Sequence, residues 1–408
     1  MTAPINGIFN TGNLLTDQAS KSFAAQILRL FPNGQSPLFA LSGMLDTKTA
    51  LQIQHGYYTK TMIFPSATLN GAINSGAVAA GTAENWTVAS TANILAGMVL
   101  RVTSTGENIL VTTVTNSTTL AVQRGMGTIA AGNIADAVVL YQVGNAFEEA
   151  STRPSAMALT PVYNSNLTQI FRNSWALSGT TSAVQMAVGG SQVAESRQDC
   201  MAFHAADIEK ALIFGQKYSG TKNSQPLHMM NGLLASVTDA TYGAPGNITT
   251  AGATTTFTQL ETALDPCFNV QTDPKIANHR LLFVGGTALK VLNNIGKLSG
   301  TYQIIDGQTS FGLQFSTFKI ARGTFTMIEH PLLNSNTTWA KMAIAVDLSS
   351  FKLAYLNGRK TSSQEYGTNG TPVDSGVDAV GGTLTSELTC EIINPAANGI
   401  IWNLTAAA

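Results

Sequence analysis

Residues 191–218, SQVAESRQDCMAFHAADIEKALIFGQKY, read as one long helix in a chain that otherwise reads mostly as strands and turns. Met201, Ala205, Ile208 and Leu212 recur at i, i+4, i+7 and i+11, which is one apolar stripe. Glu195, Arg197, Asp199, Asp207, Glu209 and Lys210 largely take the other faces. At 1.5 Å per residue the segment spans about 42 Å, where an average helix has about 11–12 residues. A helix of this length argues against an all-β fold for the chain.

Residues 66–143 have a different character. They hold five charged residues, Glu84, Arg101, Glu107, Arg124 and Asp136, and no lysine. The stretches NWTVAS, MVLRVTS, NILVTTVT, TTLAVQRG and AVVLYQV read as short strands. Ala96-Gly97, Thr105-Gly106, Asn116-Ser117 and Gly125-Met126-Gly127 break them at roughly ten-residue spacing, the pattern of a small barrel or sandwich. The flanks, LQIQHGYYTKTMIF at 51–64 and the extended stretch 144–190, read as one β element that this domain interrupts.

The remaining chain is mixed. Residues 1–15 read as a polar extended arm. A helix over 16–31 is capped by Thr16 or Asp17, buries Phe23, Ile27, Leu30 and Phe31 on one face, and stops at Pro32-Asn33-Gly34. Residues 257–269 read as a helix kinked at Pro266, 281–284 as a buried strand, and 287–295 as a helix. A hairpin is expected for 317–320 and 324–329 about Arg322-Gly323. Strands are expected at 343–347, 353–356 and within LTSELTCEII.

Composition narrows the function classes. Charged residues are 11% of 408, with a net charge of -1, under half the usual share of about 25%. Hydrophobic residues at 44% are enough for a sizeable core. A disordered chain and a strongly basic nucleic-acid groove are both excluded. So few charges protect a free monomer poorly against association, and suit a protein packed against its own copies. Cys200, Cys267 and Cys390 are far apart and read as buried free thiols of a reducing compartment. No secretory signal is expected at MTAPINGIFNTGNLLTDQ. No apolar run reaches the ~18 residues of a membrane span, and the N-x-S/T triplets at Asn85, Asn116, Asn166 and Asn336 read as chance.

No catalytic constellation emerges. His55, His204, His228, His279 and His330 form no metal-ligand spacing. His204 beside Asp207 has the spacing of a base and its orienter, but a structural pair is the favoured reading. Cys200 lies one turn from His204, and a mid-helix thiol is usually an inert small hydrophobe. Gly285-Gly286 reads as a strand-to-helix turn, lacking the phosphate-loop pattern. Glu148-Glu149 lacks the partner ligands of a calcium or magnesium site. No cofactor or metal is expected, and no enzyme activity.

Four stretches carry a resemblance. GNAFEEASTRPSA…TPVYNSNLTQIFRNSWALSGT (144–180), AESRQDCMAFHAADIEKALIFGQ (194–216), FGLQFSTFKIARGTFTMIEHPLL (311–333) and LAYLNGRKTSSQEYGTNG (353–370) resemble, in order, the major capsid (major head) proteins of tailed double-stranded DNA bacteriophages. The resemblance implies an α+β, Hong Kong 97-like capsid fold with an inserted small all-β domain. On that plan residues 1–40 are an N-terminal arm. Residues 41–65 and 144–190 form the extended loop and the start of the peripheral domain, with 66–143 inserted. Residues 191–224 carry the spine helix, about 225–330 the axial domain, and 331–408 the return strands and C-terminus.

The resemblance also implies a structural protein of the virion that self-assembles as hexamers and pentamers. It implies assembly in the host cytoplasm into an icosahedral head around double-stranded DNA, which the wall meets only by non-specific proximity. Scaffolding, portal and decoration proteins are further expected partners, and a membrane is not. Candidate inter-subunit contacts are Phe23, Ile27, Phe31, Tyr57, Tyr58, Glu148, Glu149 and Arg153. Some members of this fold crosslink through Lys–Asn isopeptide bonds. Lys48, Lys60 and Asn357 are the residues such a bond would draw on here, and it is not expected. The rival readings are a decoration or tail protein and, from another class, a hydrolase using His204.

Overall fold

The computed structural model describes residues 37–44, 47–60, 64–184, 191–240, 242–270, 278–299, 309–310, 313–314, 316–367 and 377–407. The helix expected over 16–31, with Phe23, Ile27 and Phe31, lies outside them. The described chain divides into two compact units, Tyr58–Val162 and the residues on either side of it.

Among the described residues, the flanking unit contains a five-stranded and a six-stranded sheet. The five-stranded sheet is built around Ala379–Ile392, a strand of 14 residues. One edge pairs antiparallel with Gln169–Ser178 over its whole length. The other edge takes Phe351–Leu356 and then Ser362–Tyr366, end to end. Lys48–Ala50 adds a parallel strand beside Phe351–Leu356. Leu384, Ser386, Leu388, Cys390 and Ile392 share one face by the two-residue strand period.

That face receives the long helix, Gln192–Phe214. Its 23 residues span about 34 Å, shorter than the expected 191–218. It stops because the chain turns at Gly215. The Gly215 N–H donates to Ala211 O at 2.9 Å, and its carbonyl accepts from Gly232 N–H at 2.9 Å. A Cβ at Gly215 would lie 2.4 Å from Ala211 O, so a side chain does not fit. Tyr218–Lys222 then runs as a strand antiparallel to Gln225–Met229.

The buried face of the helix is also offset from the expected stripe. Cys200, His204, Ile208, Glu209, Leu212 and Ile213 are inside, whereas Met201 is 47% exposed. Ile208 and Leu212 are inside as expected, and two polar side chains, His204 and Glu209, join them because partners on other segments satisfy them.

The six-stranded sheet runs in the order 248–250, 399–402, 343–346, 279–284, 324–329, 316–319. Its central strand, His279–Val284, is parallel to Thr324–Glu329 and antiparallel to Ala343–Val346. Leu281 and Phe283 join the core under the long helix, while Leu282 and Val284 join a second core. A strand buried on both faces needs a continuous apolar run, and LLFV supplies it. Helices Phe257–Leu264 and Gly286–Ser299 cover the second face. At Pro266 the first helix passes into a 3-10 turn, Asp265–Phe268, where the ring removes a helical donor. The expected hairpin about Arg322-Gly323 is present as Ser316–Lys319 and Thr324–Glu329. Residues after 331 serve both sheets, since Ala343–Val346 and Gly399–Trp402 pair in this one.

The Tyr58–Val162 unit holds an antiparallel sheet in the order 66–68, 139–145, 98–102, 108–116, 119–123, 83–87. Each of the five stretches read as strands forms one. The two edge strands continue into a bridge between Leu69 and Val88. Asn70 N–H donates to Thr87 O and Ala89 N–H to Thr68 O, at 2.9 and 2.8 Å. These bonds close the sheet into a barrel and remove its exposed edges. Trp86, Leu100, Ile109, Val111, Leu120, Val122 and Leu140 fill it.

Candidate functional site

The sites of interest are places where buried polar groups join segments distant in sequence, because each must be paired to be tolerated. The first is Glu209, fully buried on the long helix. Its Oε1 accepts from Leu38 N–H at 2.8 Å and its Oε2 from Phe39 N–H at 2.6 Å. These are first-turn amides of helix Pro37–Met44, which have no acceptor within their own helix. His330 Nε2 donates to the same Oε1 at 2.6 Å. His330 Nδ1 accepts from Leu332 N–H at 3.3 Å, so the Nε2 nitrogen carries the proton. The sequence reading had placed Glu209 on an outer face. The available signal was that its i−4, i+3 and i+4 neighbours are Ala205, Leu212 and Ile213, all apolar.

The second site is a polar layer between the long helix and the five-stranded sheet. His204 Nδ1 lies 2.7 Å from Asn173 Oδ1, which accepts from it, and Nε2 lies 2.7 Å from the Ser386 hydroxyl. Asn173 Nδ2 donates to Asp207 Oδ2 at 3.0 Å. Burial pulls the His204 pKa below its ordinary value, against the opposing charge of Asp207. His204 and Asp207 therefore meet through Asn173, as parts of a packing layer. Cys200 packs with Trp175 and Leu384, and burial pushes its thiol pKa up.

The third is a cleft of about 220 Å³ lined by Tyr57, Asn164, Asn166, Lys217, Asn231 and Glu391 among others. Asn166 Nδ2 donates to Asn231 O and Cys390 O at 2.9 and 2.8 Å, and Asn231 N–H returns to Asn166 Oδ1 at 2.7 Å. The Tyr57 hydroxyl donates to Ile392 O, and burial raises its pKa to about 12. The Lys48 ammonium lies 2.6 Å from the buried Glu391 carboxylate.

The fourth lies in the barrel, where Arg124, Glu107 and Glu84 pair. Burial raises the Glu84 pKa, but hydrogen bonds from Trp86 and Ser75 and the charge of Arg124 leave it below the ordinary value.

Of the predicted contact residues, Tyr57 is tied into its own unit. Tyr58 is 71% exposed, and Glu148, Glu149 and Arg153 are exposed. The remaining three lie outside the described residues. Gly285-Gly286 forms the expected turn, with Gly286 N–H donating to Asn334 Oδ1 at 2.6 Å. A Cβ at Gly285 would lie 2.4 Å from Ala340 O, so this glycine serves close packing.

Buried charges and amides thus hold distant segments of this chain in register. The chain belongs to the SU10 major capsid protein family, whose model matches residues 5–405. It is 37% identical over 412 aligned residues to a major capsid protein of Pseudomonas phage PaMx41, covering 98% of this chain and 96% of that one. It is thus a phage major capsid protein, a structural component of the virion rather than an enzyme. Among solved structures, the capsid of a native GTA particle matches with a TM-score of 0.45 and 9% identity, covering 96% of this chain and 97% of that one. The capsid of cyanophage P-SCSP1u matches with a TM-score of 0.44 and 11% identity, covering 98% and 96%.

Proposed function

We propose that this chain assembles as hexamers and pentamers into an icosahedral, Hong Kong 97-like head enclosing double-stranded DNA. The observation that carries the reading is the family match across nearly the whole chain. In this reading the residues before Pro37 and the strands flanking the barrel reach neighbouring subunits, adding buried area and avidity. Cyclic rings use heterologous contacts, one patch against a different patch of the next copy. Phe23, Ile27 and Phe31 on the arm, and Tyr58, Glu148, Glu149 and Arg153 at the loop, are the proposed contacts. Residues 66–143 form the inserted domain, 191–224 the spine segment and about 225–330 the axial domain, with residues after 331 completing both sheets. Scaffolding, portal and decoration proteins are proposed partners, with assembly in the host cytoplasm. A near-neutral wall lets DNA be packed without strong phosphate binding.

The test is electron microscopy with light scattering on the purified protein, alone and co-expressed with the neighbouring phage genes. Closed shells, or rings of five and six, are expected. Tubes, trimers or monomers under both conditions would overturn the reading.

A further inference from the structure

Two helices of eight residues in this chain solve the same end problem differently. Phe257–Leu264 caps itself: the Thr256 side chain accepts from Gln259 N–H and the Gln259 side chain accepts from Thr256 N–H. Pro37–Met44 has no acidic residue in its first turn. Its Leu38 and Phe39 amides go instead to the two oxygens of Glu209, 171 and 170 residues away. A two-turn helix is marginal by itself, and Leu38 is fully buried in the core under the long helix. The helix is therefore held by Leu38 in the core, by Phe39 and Leu41 packed against it, and by one borrowed carboxylate. His330 fixes that carboxylate from its other side.

We propose that Glu209 is the positioning residue of the N-terminal arm. It docks helix Pro37–Met44 on the long helix, and so sets the point at which the preceding 36 residues join the subunit. Because the cap is borrowed, losing that carboxylate loosens the helix and its own contacts with the first core, while the second core, which holds no residue of this helix, stays intact. The docking part stands on geometry alone, and the consequence for assembly rests on the capsid reading above.

The experiment is hydrogen exchange on the full chain, wild type against Glu209→Gln. The glutamine amide group faces one backbone donor with a donor of its own. Amides of residues 38–44 are expected to exchange about tenfold faster or more, the scale of a lost cap. Residues 257–264, with their own cap, and the strand 279–284 are expected to be unchanged. Unchanged exchange at 38–44, or equal acceleration everywhere, would overturn the proposal. If Glu209→Gln does not fold, Glu209→Asp carries the test. The shorter carboxylate cannot keep both bonds, and the same local acceleration is expected. Electron microscopy of assembled particles then reads the second part: malformed or mixed-size products are expected from the variant. Particles identical to wild type, despite a loosened helix, would overturn the positioning role while leaving the capsid reading in place.

Discussion

The Arg124 guanidinium meets the Glu107 carboxylate through two hydrogen bonds, 3.1 Å from Nε and 2.8 Å from Nη2, with both side chains fully buried. Further hydrogen bonds surround the pair. Nη1 donates to Ser75 Oγ at 3.0 Å, Nη2 also donates to Gly132 O at 2.6 Å, and Gly125 N–H donates to Glu107 Oε1 at 3.0 Å. The guanidinium lies 5.3 Å from the Trp86 ring centre. The pair thus ties three loops of the barrel to its strands.

Removing one partner leaves the other as a buried unpaired charge, which costs about 3–5 kcal/mol. Arg124→Met alone is therefore expected to destabilise the barrel by that amount. The double variant Arg124→Met/Glu107→Leu is expected to recover a large part of it. Calorimetry of wild type, both single variants and the double variant checks this. Additive single effects would show that the two groups act independently.

His204 gives the fold a pH dependence of known sign. Burial depresses its folded-state pKa, while the unfolded chain takes up the proton near the ordinary value of 6.5. The unfolded state then binds more protons as pH falls below that value, so stability rises with pH. The contribution is complete above the unfolded value and is lost as pH falls toward the folded one. His279 adds in the same direction, through burial first and then the Arg280 charge. Denaturant midpoints between pH 7 and pH 5 are expected to fall, and to fall less in His204→Gln. An equal slope in the variant would remove His204 from the account.

The three thiols are expected to be silent. Cys200, Cys267 and Cys390 are buried and unpaired with one another. Burial pushes the pKa of both Cys267 and Cys390 up to about 12. The thiolate is the reactive form, so an aromatic disulfide reagent at pH 8 is expected to label none in the native chain and all three after denaturation. Rapid labelling of the native protein would contradict the burial described.

What the sequence made legible was periodicity. LLFV at 281–284 announced a strand buried on both faces, and the long helix announced its own existence. Its end and its inner face were hidden, because Gly215 stops it through contacts with residues 230–232 and because His204 and Glu209 go inside to partners far away in sequence. Hydropathy ranks a side chain without knowing its partner, so Glu209 looked like a surface charge. Glu107 and Arg124 were hidden likewise, although two charges in so charge-poor a segment were already a hint. Barrel closure was illegible for another reason: Leu69 and Val88 meet in a single bridge beyond their strands, with no periodic signal of its own.

That closure carries the last prediction. The strands of 58–162 pair with one another, the Leu69–Val88 bridge joins the two edge strands, and the Arg124–Glu107 pair is internal to the same unit. Its apolar core lies among residues 67–140. On either side of it, strands Gln54–Thr59 and Val162–Leu167 pair together, which brings the two points of chain entry and exit close. A unit with its own core and adjacent ends meets the conditions for independent folding. The isolated 58–162 fragment is therefore expected to unfold in one cooperative transition, with Trp86 giving a native-like fluorescence signal. The chain with 60–160 replaced by a short Gly/Ser turn is expected to keep the long helix and both large sheets, read by circular dichroism and hydrogen exchange at 279–284. A fragment without a cooperative transition would mean that the barrel needs the rest of the subunit to fold.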